Sequence, residues 1–471
     1  MKVLILLLIA LSVFFNIWTL NGGHNWGDDF AQYIINARNI IEGKPYQSGV
    51  ILENFVTYPP GLPLLIAPEL KVLGLDFKAF KLFNIIFWYL SVYFIYRLFL
   101  RLEGQRFALL AALFLSLSSF FFTYKQNVLS DIPFFFFVCV SLCMFGEGES
   151  NCLIWLLSMS GALWFRSAGS ILFAAALFYF IFIKRDKRMS AIVLSVFLLN
   201  EAILFFWMGW HPGVLVGNWQ DPGQMLSSIL YNFPTAFHAF WYFLCPYQTV
   251  VSQALFKILD PVVTVVSPVL YIIILWSFVR GLRKRSLSFL ECFSFIYITL
   301  LILWSGNTSP PDAFTRFIFP VLPFAFWGAL RLFKFADGYH LRLHGLARVF
   351  LLILLLINLS NVVINWDFND DMLDLPANKG LVNWVEQNTK PDEHFMFWKP
   401  RALALLTRRE GTAPWIFPSQ EQGFMQRVRD LKISYVLSLK DDDGLNAKLE
   451  NSGQFKLVWE NGAYLVFKPI N

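Results

Sequence analysis

Charge is what this sequence has least of. Only 15% of its 471 residues are Asp, Glu, Lys or Arg, where a soluble globular chain carries about 25%. Cysteine is also scarce, with five in all. Cys139, Cys143, Cys152 and Cys292 lie inside apolar stretches and Cys245 in a loop. That spacing excludes a disulfide framework and a cysteine metal site. No P-loop, Gly-rich dinucleotide fingerprint or Ser nucleophile elbow occurs, which argues against an energised transporter and a soluble-cofactor enzyme. No His/Cys/Asp cluster has metal-ligand spacing, so no cofactor is called for and a divalent metal is optional rather than required. Internal repeats and low-complexity tracts are lacking too.

What is present is apolar: 57% hydrophobic residues, 18% aromatic, gathered in long blocks. These read as spans at 2–20, 80–98, 107–123, 132–146, 152–166, 168–183, 189–208, 262–279, 287–305, 317–334 and 349–366, about eleven transmembrane helices. The first lacks a small-x-small cleavage pattern and is expected to be a retained helix. With Lys2 inside, four turns on that side are basic: Arg97/Arg101/Arg106, Lys184/Arg185/Lys187/Arg188, Arg280/Arg283/Lys284/Arg285 and Arg331/Lys334/Arg342/Arg348. The fifth, Gly146-Glu147-Gly148-Glu149, is acidic. The net charge of +6 is therefore topogenic, not a nucleic-acid footprint, and it puts the C-terminus outside.

Three outside segments exceed a turn. The first is 21–79. The second is 209–261, with a Pro234-broken aromatic stretch at 229–244 expected as an interfacial helix. The third runs from Asp367, where short helical and strand-like runs alternate. The fold class expected is an α-helical polytopic membrane protein with a small C-terminal α/β domain. Its domains are 1–366 and 367–471, the latter periplasmic or extracellular.

The densest polar set is His24-Asn25-Trp26-Gly27-Asp28-Asp29. One of the two acids can cap the helix that follows, whose Phe30, Ile34, Ala37, Ile40 and Ile41 share a face opposite Gln32, Asn36 and Asn39. Mutual repulsion raises the pKa of one or both, which suits a general base. Cap and base stand about even. Thr57-Tyr58-Pro59-Pro60-Gly61-Leu62-Pro63 redirects the chain, or walls the acid pair. Lys125 and Ser130-Asp131-Ile132-Pro133 occupy another outer turn, and Asp131 either caps a helix or faces a wet cavity. Arg166 and Arg316 are basic residues outside, against the topogenic bias. Either they snorkel to headgroups or they clamp a lipid phosphate.

The run Gly27-Asp28-Asp29-Phe30 to Gly43-Lys44-Pro45-Tyr46, followed by Tyr58-Pro59-Pro60-Gly61-Leu62-Pro63, resembles the first outer loop of GT-C glycosyltransferases. The likeness is to bacterial relatives of protein O-mannosyltransferases and of the lipid A aminoarabinose transferase. Ser130-Asp131-Ile132-Pro133 resembles that family's second acidic site, and Thr315-Arg316-Phe317 to Pro323 its Arg-aromatic-Pro segment. The resemblance implies a polyprenyl-phosphate sugar donor, an inverting single displacement, and a lipid, glycan or protein acceptor at the outer face of a bacterial inner membrane. Asp28 matches the catalytic base, Asp29 the acid after it (often Glu in relatives), Asp131 the acceptor-orienting acid and Arg316 a donor-phosphate residue. Arg166 and Lys125 join the donor-binding set on electrostatic grounds, and Tyr58 as a substrate-binding residue. The rival readings are a transporter or lipid flippase, and a binding scaffold.

Overall fold

The computed structural model describes residues 2–47, 50–51, 58–145, 151–208, 222–244, 261, 275–276, 278–303, 314–328, 343–367, 371–414, 417 and 421–470. Contacts divide the chain into two compact units. One holds Met1–Leu20, Leu82–Lys125 and Ser130–Phe368; the other holds Asn21–Lys81, Gln126–Leu129 and Asn369–Asn471. The first long loop thus groups with the C-terminal segment rather than with the helices that flank it in sequence.

The first unit is helical. Among the described residues, Phe77–Leu102, Gln105–Tyr124, Ser167–Lys184 and Lys187–Trp207 are long and apolar enough to cross a membrane. Val3–Trp18, Asp131–Phe145, Cys152–Phe165, Phe289–Leu303 and Leu352–Ile364 are shorter apolar helices. The chain is a multi-pass membrane protein. Most of the expected span 262–279 lies outside the described residues, as do Gly146-Glu147-Gly148-Glu149, Cys245, Arg331, Lys334, Arg342 and most of 209–261.

Three spans depart from uniform helices. The one expected at 107–123 breaks after Ser116, where Ser118 accepts the Phe121 N–H at 3.3 Å and starts a new helix, Ser119–Tyr124. Ser167–Lys184 passes from a 3₁₀ turn through an α-helix to a π-helical turn, Tyr179–Lys184. The start of 317–334 is a 3₁₀ segment, Thr315–Val321, containing Pro320, which has no N–H to give an α-helix. The aromatic stretch 229–244 belongs to a continuous helix, Pro222–Leu244, that runs through Pro234 and packs on Phe289–Leu303.

Aromatic side chains hold the 3₁₀ segment in place. The Phe319 ring lies 5.9, 5.6, 5.9 and 6.0 Å from Trp88, Phe120, Phe135 and Phe243. Trp88 stacks on Phe121 at 4.4 Å. Each such pair adds about 0.5–1.5 kcal/mol beyond its buried area.

The second unit contains a five-stranded sheet: β1 His394–Met396, β2 Gly411–Thr412, β3 Ile433–Leu439, β4 Phe455–Glu460 and β5 Tyr464–Pro469. Its order is β2-β1-β3-β5-β4, with β2, β1 and β3 parallel, β5 antiparallel to β3, and β4 antiparallel to β5. Met396, Val436 and Phe467 face Phe424 and Leu449 from the helices Glu421–Asp430 and Asp443–Asn451. The first loop joins this edge, since Ile51 donates its N–H to the Gly411 carbonyl at 3.0 Å.

Within the same unit the helix Asp28–Glu42 packs on Gly61–Leu73 and on a short helix, Pro400–Thr407. Burial there differs from the amphipathic expectation. Gln32, Asn36 and Asn39, the polar face, are buried along with Phe30, Ile34 and Ala37. The chain supplies a second cover, so both faces leave solvent. Leu403 of the short helix is fully buried. Leu403→Ala is expected to cost about 2–5 kcal/mol, read as a lower thermal midpoint; an unchanged midpoint would show that this packing contributes nothing.

Candidate active site

The site residues expected from sequence fall into two groups, one in each unit, with Lys125 apart. Asp28, Asp29 and Tyr58 lie in the second unit; Asp131, Arg166 and Arg316 lie in the first.

Asp28 and Asp29 open the Asp28–Glu42 helix, but neither caps it: the cap position is Gly27 and no side chain bonds there. Asp28 instead serves a different helix. Its Oδ1 accepts the backbone N–H of Arg401 at 3.1 Å and of Ala402 at 3.4 Å, the first amides of Pro400–Thr407. A carboxylate at a helix N-terminus is favoured both by the orphan N–H groups and by the dipole. Arg401, nine-tenths buried, places Nε 3.9 Å from Asp28 Oδ2 and a terminal nitrogen 3.9 Å from Asp29 Oδ1. The Tyr58 hydroxyl donates to Asp29 Oδ1 at 2.6 Å.

Burial pushes the Asp28 carboxyl above the ordinary carboxylate range, against the Arg401 charge that pulls it down. The neighbouring Asp29 charge raises it too, as the sequence suggests, but contributes least of the causes. Burial is the driver because the acid sits beneath a second helix. Burial likewise keeps Tyr58 well above its usual range. His24 is held neutral, its pKa lowered to about 3 by burial; its Nε2 accepts the Val128 N–H at 3.1 Å and its ring stacks on Phe30 at 3.8 Å. His24 is thus a packing residue. Arg401 was not foreseen, because nothing local marks a residue so distant in sequence.

In the first unit, Arg166 pairs with Asp131 at 2.6 Å, the acid only 2% exposed. The guanidinium groups of Arg166 and Arg316 lie 5.4 and 4.8 Å from the centroid of the Phe317 ring. The Phe317 carbonyl accepts from the Tyr297 hydroxyl at 2.9 Å. The turn residue Lys125 behaves otherwise. It is fully buried, donates to Asn16 Oδ1 at 3.1 Å and Thr19 Oγ1 at 2.7 Å, and lies 3.6 Å from the Phe122 ring centroid. That ammonium ties the end of the first helix to the outer turn and presents no surface to a phosphate, contrary to the donor-binding role expected.

Comparison with known proteins bears on the same residues. The Dolichyl-phosphate-mannose-protein mannosyltransferase family matches residues 57–210, a stretch holding Tyr58, Asp131 and Arg166. ArnT from Cupriavidus metallidurans, solved with undecaprenyl phosphate, superposes with a TM-score of 0.58 at 12% identity, covering 99% of this chain and 98% of that one. The Archaeoglobus fulgidus oligosaccharyltransferase, solved with zinc and sulfate, gives 0.57 at 13%, covering 92% and 68%. The chain has the GT-C fold. Over 218 residues it is also 26% identical to a protein of Aquifex aeolicus (strain VF5) described only as uncharacterized, a match spanning 42% of each chain.

The acid pair is a poor metal site. Among the described residues no group of three or more His, Cys, Asp or Glu side chains is placed to hold an ion. The pair has amides on one carboxylate and a guanidinium 3.9 Å from each.

The Asp131–Arg166 pair invites a double-mutant cycle. Arg166→Leu strands a buried carboxylate and is expected to cost about 3–5 kcal/mol, while adding Asp131→Leu recovers part of that loss. Thermal or denaturant unfolding reads both; additive effects would remove the coupling.

Proposed function

We propose that this chain is an inverting glycosyltransferase that moves a sugar from a polyprenyl-phosphate donor to a hydroxyl or amine of a lipid, glycan or protein acceptor. The site would lie at the periplasmic face of a bacterial inner membrane. One observation carries this reading: a buried carboxyl, raised by its surroundings, in an acid pair bound to Arg401 and Tyr58. The mannosyltransferase match and the GT-C fold support it, as does the relative solved with undecaprenyl phosphate.

In this mechanism Asp28 takes the proton from the acceptor as its oxygen or nitrogen attacks the anomeric carbon. The sugar–phosphate C–O bond breaks in the same step, its electron pair passing to the phosphate oxygen. One displacement inverts the anomeric configuration and releases the polyprenyl phosphate. Arg316 and Arg166, in the first unit, are the basic residues proposed for the donor phosphate. Asp131 positions Arg166. Tyr58 positions Asp29.

A second assignment within the pair has its own support, because Asp28 Oδ1 is engaged by two helix amides. In that version Asp28 is a docking residue and Asp29 is the base. Asp28→Asn separates the two, since the amide oxygen still accepts those N–H groups. With Asp28 as base, transfer from a polyprenyl-phosphate sugar falls about 10²–10⁴-fold while the thermal midpoint holds. If Asp28→Asn transfers normally and Asp29→Asn does not, the base is Asp29. Normal transfer by both variants would return the chain to the transporter, flippase or scaffold readings.

The raised carboxyl also predicts a pH profile. A base works deprotonated, so kcat/KM drops as pH falls through its pKa. The acid limb should lie above the ordinary aspartate value of about 3.9, and a limb at or below that value refutes the assignment to Asp28. Arg316→Gln is expected to raise KM for the lipid donor about tenfold or more, the worth of one charge-assisted contact. An unchanged donor KM would remove Arg316 from the phosphate site.

A further inference from the structure

The first unit bears an open cavity of about 1240 Å³ at the far end of its helices from Asp131 and Arg166. The fifteen-residue Asp131–Phe145 helix, about 21 Å long at 1.5 Å per residue, runs from the acid to the cavity wall. The lining includes the ends of Phe77–Leu102 and Ser167–Lys184 and the starts of Cys152–Phe165, Lys187–Met208 and Phe289–Leu303. This is the end that bears the basic turns.

Its lining is divided. Arg101, Lys184, Arg188, Arg280 and Lys284 supply five positive charges, and Asp186 and Glu291 two negative ones, a surplus of three. Both acids are engaged in their own helix starts: Asp186 Oδ1 accepts the Met189 N–H at 2.9 Å, and Glu291 Oε2 accepts the Ser288 N–H and hydroxyl at 2.7 Å each. The remaining wall is largely apolar and includes the aromatic rings of Phe145, Trp155, Tyr179, Phe180, Phe289 and Trp327. Phe145 and Phe289 stack there at 4.0 Å.

Backbone geometry marks the same place. Tyr179 and Phe180 belong to the π-helical turn, an uncommon conformation that concentrates at functional sites. Arg185 and Arg285, flanking the cavity in sequence, hold positive φ of 57° and 52°, a backbone conformation uncommon for any residue with a Cβ.

We propose that this cavity binds an anionic lipid, its phosphate among Lys184, Arg188, Arg280 and Lys284 and its tail along the aromatic wall. A free phosphate leaves the apolar half unused, and a zwitterionic lipid leaves the surplus charge unmatched. The inference is independent of the glycosyl-transfer reading.

Native mass spectrometry of the purified full-length chain in detergent tests it, with phosphatidylglycerol, phosphatidylcholine, a polyprenyl phosphate and inorganic phosphate as probes. The anionic lipids are expected to be retained at about tenfold lower concentration than phosphatidylcholine. Arg188→Gln/Lys284→Gln should abolish that preference, each lost charge near a phosphate weakening binding severalfold. Arg280→Gln, from another part of the wall, repeats the measurement if the double variant aggregates. Preference for the polyprenyl phosphate names a prenyl lipid as occupant; preference for phosphatidylglycerol names a membrane phospholipid. Equal retention of phosphatidylcholine, displacement of lipid by millimolar inorganic phosphate, or preference surviving in well-folded variants overturns the proposal.

Discussion

The Asp28 carboxylate on the first amides of Pro400–Thr407 is the contact on which the second unit depends. It joins residues 373 apart in sequence, and it does so with groups that each need a partner. The helix start has N–H groups without intrahelical acceptors, and the acid has a charge that burial would otherwise penalise. With that contact made, Arg401 comes within 3.9 Å of both acids. The polar face of Asp28–Glu42 then passes out of solvent. The same burial that secures the fold is what raises the Asp28 carboxyl, so docking and reactivity share one cause.

The first unit solves a different problem, holding cationic side chains at the margin of an apolar bundle. Phe319, wedged among Trp88, Phe120, Phe135 and Phe243, anchors a 3₁₀ segment that a proline keeps from becoming α-helical. Phe317, two residues earlier, offers its ring to Arg316 and to Arg166. Asp131 then neutralises one of the two arginines. Both guanidinium groups thus share one aromatic backing, and a guanidinium over a ring suits an anion on a lipid. At the other end of the same helices, basic turns surround an aromatic-walled cavity. Both sites pair cationic groups with flat apolar rings, as amphiphilic ligands require.

Several elements could be read from the residues alone because their cause is local. The strand Ile433–Leu439 and the helix Pro400–Thr407 have the bounds that their composition suggests, and Asp131 and Cys152 start helices within one residue of the hydropathy blocks. The break at Ser118 and the π-helical turn were not legible, since both depend on which neighbours surround the bundle. Asp28, Asp29, Asp131 and Arg316 were picked out by charges standing where apolar or topogenic patterns do not want them. Lys125 was picked out by the same logic and misread. A buried ammonium satisfied by Asn16 and Thr19 looks, in sequence, like one that awaits a phosphate.

The sequence by itself determined that this chain crosses a membrane repeatedly, which end of its helices is basic, and where its unusual acids and arginines stand. Those follow from hydrophobic run length and charge placement, which are properties of neighbouring residues. Only the tertiary structure decided that Arg401 joins the acid pair, that Asp28 docks a second helix instead of capping its own, and that Arg166 belongs to Asp131. Such partnerships come from burial and dipole matching between distant segments, and neither has a signature in the order of residues along the chain.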